Sequence, residues 1–172
     1  CGFAFVRDVD AHLAALSPQG AAYIVYGDAE RDEFRWVPEY SRRARGFASW
    51  AALRSLGRDG VATLLEGNCA IAVRMSAGLR PADEEVGAEG LNDVVLNQVL
   101  VRFAPPGGGD AAATDEFTRA VVRRVQETGT LWLSGTTWQG RAAMRISVCN
   151  WSTGKADVER SAAEILAAAG RV

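Results

Sequence analysis

Three arginines, Arg42, Arg43 and Arg45, follow Ser41 directly and crowd the start of an apolar run. Ser41 is a good helix N-cap, so the pattern predicts a helix whose first turn carries all of this positive charge. A helix N-terminus already has partial positive charge, and cations placed there are unfavourable unless an anion compensates them. The chemistry this points to is the binding of a phosphate or carboxylate by N–H groups and guanidinium forks. Arg145 is the second candidate. In Met144-Arg-Ile-Ser-Val148, strand alternation places Met144, Ile146 and Val148 on one side, with Arg145 and Ser147 on the other. Arg145 is then either an exposed strand arginine or a clamp that grips a carboxylate bidentately.

The other reactive side chains point to less. His12 reads as a surface helix residue rather than a catalytic one. Lys155, the only lysine beside the arginines, follows a glycine at a helix start. It reads as solvated, whereas a Schiff-base lysine needs a desolvated pocket. Gly107-Gly-Gly109 lacks the lysine and flanking strand of a phosphate loop and reads as a linker. Cys1, Cys69 and Cys149 have no metal-ligand spacing, and one histidine cannot complete a zinc site. They read as reduced, mostly buried thiols of a cytoplasmic protein.

The bulk properties narrow the classes. A chain of 172 residues that is 48% hydrophobic can bury a core and is not disordered. Its net charge of −2 provides no field for nucleic acid or an anionic membrane. No apolar run is long enough to span a bilayer, and no signal peptide opens the chain. The preference for arginine over lysine reflects either base composition or anion binding. The chain opens on Cys1-Gly-Phe-Ala-Phe-Val-Arg7. Such a continuous apolar run is expected to be a strand buried on both faces, and its abrupt start suggests a fragment of a longer protein.

The elements that would position these residues follow from periodicity. Asp8 is expected to cap a short helix to Leu16, and 17–40 forms a long aromatic loop. A helix from Arg42 to about Leu56, apolar nearly all round, should be buried between two layers. Gly57-Arg-Asp-Gly60 interrupts it. A second helix then carries Val61, Leu64, Leu65, Asn68, Ile71, Ala72, Met75 and Leu79 on one stripe. Val94–Phe103 is a strong strand. Leu131–Trp138 and Ala142–Cys149 form a hairpin around Gln139-Gly140. Thr114 is expected to cap a helix through about Glu127, and Thr153 to cap the last one. From about residue 80 the chain is an α+β unit, a short, largely antiparallel sheet covered by helices.

Taken in order, several of these segments resemble the C-terminal part of the group II pyridoxal-phosphate (PLP)-dependent decarboxylases. That family includes the aromatic-L-amino-acid, histidine, glutamate and 2,4-diaminobutyrate decarboxylases. The resemblance rests on Cys1-Gly-Phe-Ala-Phe-Val-Arg7, Ser41-Arg-Arg-Ala-Arg45 and Trp50-Ala-Ala-Leu-Arg-Ser-Leu-Gly57. It continues with Leu96-Asn-Gln-Val-Leu-Val-Arg-Phe103 and Met144-Arg-Ile-Ser-Val-Cys-Asn150.

The resemblance implies the α/β fold of fold-type-I PLP enzymes. Residues 1–45 would be the C-terminal end of the large PLP-binding domain with the active-site loop. Residues 46–172 would be the linking helices and the small C-terminal domain. It implies a homodimer in which Tyr40 and Ser41, with Arg42 beside them, approach the cofactor phosphate of the partner subunit. Arg145 would receive a substrate carboxylate, and the loop from Tyr23 to Tyr40 would cover the active site. The family's Schiff-base lysine would lie upstream of Cys1, so the chain alone is expected to be inactive. The family's reprotonating loop tyrosine has its nearest match at about Phe34, with Tyr40 a few residues on. Phenylalanine cannot donate a proton. That leaves open an aldehyde synthase beside the carboxy-lyase, and an aminotransferase or a non-catalytic dimerisation module remain further alternatives.

Overall fold

The computed structural model describes residues 2–16, 33–39, 43–80 and 87–172. The chain divides into two compact units, Cys1–Gly57 and Arg58–Val172.

In the first unit, helix α1 (Val9–Leu16) starts where the sequence predicts it. The Asp8 carboxylate accepts the Ala11 N–H at 2.9 Å, satisfying one of the donors a helix start leaves unpaired. Residues 2–6 are not a strand. They have no regular structure and are exposed, Phe5 almost completely at 95%. An apolar run becomes a strand only when a neighbour pairs with its ladder, and among the described residues none does. A 3₁₀ turn (Glu33–Trp36) follows.

Helix α2 spans Arg45–Gly78, with a break at Gly57, whose φ of 63° and ψ of −173° are not helical. Only glycine reaches that backbone conformation without strain, so the interruption expected over four residues is confined to one. The helix also opens later than expected. Its first residue is Arg45, which puts Ala44 at the capping position, not Ser41. The segment before the break is not buried between layers: Phe47, Trp50, Leu53 and Leu56 are all exposed.

The second unit holds the core. Strands β1 (Gly87–Gly90), β2 (Gln98–Ala104), β3 (Ser134–Trp138) and β4 (Arg141–Ser147) form one antiparallel sheet in the order β1-β2-β4-β3. Val99 stands opposite Ile146 and Val101 opposite Met144. These side chains, with Phe103 and Val148, meet Ala72 and Met75 of α2 and Leu79 just past its end in one apolar cluster. Val121 and Val125 of α3 (Ala111–Thr128) and Val158, Ala162 and Ile165 of α4 (Lys155–Ala169) complete it. The alternation expected along Met144–Val148 holds, as does the hairpin around Gln139 and Gly140, where both residues have positive φ. The expected stripe holds through Asn68, Ala72 and Met75 of α2 and Leu79 just past its end, but Leu65 is exposed.

Two caps differ from expectation. Helix α3 begins at Ala111, and its cap is Asp110, whose carboxylate accepts the Ala113 N–H at 2.8 Å. Thr114 lies inside the helix, its hydroxyl donating to the Asp110 carbonyl. Helix α4 starts after Gly154, not Thr153, and Asp157 reaches back to accept the Gly154 N–H at 3.0 Å. At α3 the carboxylate of Asp110, the stronger acceptor, takes the capping role that pattern assigned to Thr114; at α4 the cap is Gly154, and Asp157 in the first turn accepts its N–H. Cys69 and Cys149 are free thiols, Cys149 exposed rather than buried.

Candidate functional site

The residues proposed to hold an anion fall partly outside the described residues: Tyr40, Ser41 and Arg42 lie there. Arg43 and Arg45 are described, and both are exposed at the entry to α2. Among the described residues neither has an ion-pair partner. Two exposed guanidinium groups at a helix start are a donor set that fits a phosphate. Phe34 is half-buried in the 3₁₀ turn.

That turn is tied to α1. The Nε2 of His12 lies 3.1 Å from the Trp36 carbonyl oxygen, and the two rings stack at 5.4 Å between centroids. A carbonyl only accepts, so His12 carries its proton on Nε2 and donates. Ala4, Val6, Val9, His12 and Trp36 line a cavity of about 280 Å³ beside this link. His12 is therefore not the surface residue expected of it. Sequence reasoning missed its role because the contact spans 24 residues and leaves no periodic signal.

Arg145 stands on β4 between Leu100 of β2 and Ser134 of β3. Its guanidinium is exposed, and among the described residues it has no ion-pair partner, although ten other ion pairs are formed there. The strand that carries it is fixed from the other face by Met144 and Ile146, so an uncommitted arginine is displayed on a rigid support. Arg145 belongs to the second unit and Phe34 to the first.

Lys155 is solvated, as expected. It sits in the exposed first turn of α4, 3.9 Å from Glu159. It does not fit covalent attachment of a carbonyl cofactor, which requires a desolvated amine. Among the described residues no group of His, Cys, Asp and Glu side chains could hold a metal ion, and no helix is long and apolar enough to cross a membrane.

No protein-family model and no curated protein sequence matches the chain. Solved structures do. Mouse CSAD is similar over 96% of this chain at 15% identity, with a TM-score of 0.78. Rhodiola rosea 4-hydroxyphenylacetaldehyde synthase is similar over 95% at 22% identity, with a TM-score of 0.70. Oryza sativa TDC, solved with PLP and tryptamine, is similar over 76% at 20% identity, with a TM-score of 0.66. The chain spans 36%, 32% and 27% of those three chains, about a third of their length. These neighbours are group II PLP decarboxylases, one of them an aldehyde synthase. The likeness establishes the fold: helices with a small antiparallel sheet, as found in part of a fold-type-I PLP decarboxylase.

Proposed function

We propose that this chain is part of a PLP-dependent carboxy-lyase that removes the α-carboxylate of an L-amino acid and acts as a homodimer. The observation that carries the reading is the likeness of fold, over 96% and 76% of the chain, to mouse CSAD and Oryza sativa TDC. The segments Ser41–Arg45, with three arginines, and Met144–Asn150, with Arg145, support it, because arginine suits an anion.

In this reading, residues 1–45 end a large cofactor-binding domain and 46–172 provide the linking helices and small domain. Tyr40, Ser41 and Arg42 hold the cofactor phosphate of the partner subunit, and Arg43 and Arg45 add positive charge beside them. PLP, when bound, withdraws electrons from the substrate Cα so that the carboxylate leaves as CO2. The chain's own contribution is to bind and orient. Arg145 takes a substrate carboxylate with its planar fork, which favours an amino acid with an acidic side chain. The family resemblance gives residues 23–40, of which only 33–39 are among the described residues, the role of covering the site and excluding water. The single lysine is exposed and paired with Glu159, so the chain by itself is inactive and depends on a lysine from outside it.

Phe34 favours a second reading. The 3₁₀ turn holds it in place, yet its ring has no proton to return to the substrate carbon. An enzyme built this way diverts toward an aldehyde: the substrate still loses its carboxylate as CO2, dioxygen accepts two electrons and becomes hydrogen peroxide, and the amine nitrogen leaves as ammonia after hydrolysis. Product analysis of the full-length protein supplied with PLP and single L-amino acids tests both readings. Amine with CO2 is the expected result. Aldehyde with ammonia supports the second reading, and a keto acid would point to an aminotransferase instead. The absence of both turnover and bound PLP would overturn the assignment.

A further inference from the structure

Among the described residues, strand β3 forms one end of the sheet, paired with β4 on one side only. The two-residue turn Gln139-Gly140 makes Trp138 and Arg141 the closing hydrogen-bonded pair of the hairpin. Antiparallel pairs alternate, so Thr136 and Ser134 also direct their N–H and C=O groups at β4, while Thr137 and Gly135 direct theirs outward. The Ala142 N–H confirms the phase. Ala142 stands opposite Thr137, and its N–H turns away from β3 to the Asp115 carboxylate at 3.0 Å. Among the described residues no backbone group bonds the outer edge of β3.

That edge opens onto a groove of about 460 Å³ between β3 and helix α3. Gly135 and Thr137 form one wall, and Arg119, Val122, Arg123 and Gln126 form the other. The charge there is unbalanced. Asp115 is committed to Arg102 at 2.6 Å and is only loosely approached by Arg119 at 3.6 Å. Arg119 and Arg123 then share one carboxylate, Glu116, at 3.7 and 3.0 Å. The two arginines are four residues apart on one face of α3, a rise of about 6 Å. Alternate residues of an extended strand lie about 6.6–6.8 Å apart.

We propose that this groove docks an extended acidic segment of another polypeptide, which adds a strand to β3 and presents carboxylates at positions i and i+2 to Arg119 and Arg123. The outward groups of Gly135 and Thr137 provide main-chain hydrogen bonds and the arginines provide selectivity, as in other cases of strand addition. Acidic side chains fit because the wall they face has more guanidinium than carboxylate. A second copy of this chain fits less well, because the strand it would offer, Ser134–Trp138, contains no acidic residue.

The probe is a labelled seven-residue peptide with glutamate at every second position, titrated against the full chain by fluorescence anisotropy. It is expected to bind, and a peptide of the same length with lysine at those positions is expected not to. The double variant Arg119→Glu, Arg123→Glu should weaken binding by about tenfold or more. Thr137→Pro removes one outward N–H without touching the pairing with β4, and should weaken binding comparably. Circular dichroism of each variant checks that the fold is kept. Amide resonances of Gly135 and Thr137, followed by NMR in the unmodified chain, should shift on titration. The proposal is overturned if the acidic peptide does not bind, if the lysine peptide binds equally, or if those resonances stay still while binding is seen. A dimer formed through β3 that excludes the peptide would also overturn it.

Discussion

Arg102, buried, and Asp115, half-buried, form an ion pair, 2.6 Å from guanidinium nitrogen to carboxylate oxygen, where the ladder between β2 and β4 ends. The same carboxylate oxygen accepts the Ala142 N–H, and the same guanidinium nitrogen donates to the Ala111 carbonyl. One helix residue therefore joins two diverging strands to the start of α3.

Removing Asp115 leaves Arg102, only 8% exposed, without its counter-charge, and orphans the Ala142 N–H. Asp115→Ala should lower the unfolding free energy by about 3–5 kcal/mol. Arg102→Met with Asp115→Ala should cost less than the two single changes summed, because the stranded charge is gone. Urea denaturation of the four proteins in the cycle measures both effects.

Asp110→Ala should lower stability by about 1 kcal/mol, the usual cost of losing a side-chain cap. Thr114→Val, at the position that pattern alone assigned as the cap, should cost less. Its hydroxyl bonds a carbonyl that already serves the Thr114 N–H. Denaturation midpoints of the two variants discriminate directly.

The hairpin turn holds Gly140 at φ 77° and Gln139 at φ 49°. Gly140→Ala places a side chain in the left-handed region and should cost about 1–2 kcal/mol. Gln139→Asn should stabilise by a few tenths of a kcal/mol or more, because Asn-Gly is the preferred pair for such a turn. Thermal melts of both variants test the opposite signs.

If Arg145 binds a substrate carboxylate, Arg145→Ala in the full-length enzyme should raise KM about 10- to 100-fold. That corresponds to losing a charged hydrogen-bonded contact. Stability should change by less than about 0.5 kcal/mol, since the side chain is exposed and unpaired among the described residues. Arg145→Lys should restore only part of the affinity, because an ammonium lacks the planar fork. Steady-state kinetics beside a melt separates binding from folding.

Phe34→Tyr supplies the missing phenolic proton. In the full-length enzyme it should raise the ratio of amine to aldehyde among the products. An unchanged ratio would remove position 34 from the chemistry, leaving Tyr40 as the next phenol to test.

The amino-acid sequence by itself determined whatever depends on local periodicity. The alternation of Met144, Ile146 and Val148, the hairpin at Gln139-Gly140 and the cap at Asp8 were all legible, because each is written within a few adjacent residues. The arginines of the candidate site were legible as types but not as partners. Only the tertiary structure decided that Arg102 is consumed by Asp115 while Arg145 stays uncommitted. It also decided that His12 holds Trp36, and that β3 ends the sheet beside Arg119 and Arg123. The run Gly2–Val6 shows the same limit from the other side. It has the composition of a buried strand, yet among the described residues no strand runs beside Phe3–Val6, and composition alone does not decide which strand lies next to it. Pairing across tens of residues is set by which surfaces pack, and packing leaves no period in the chain.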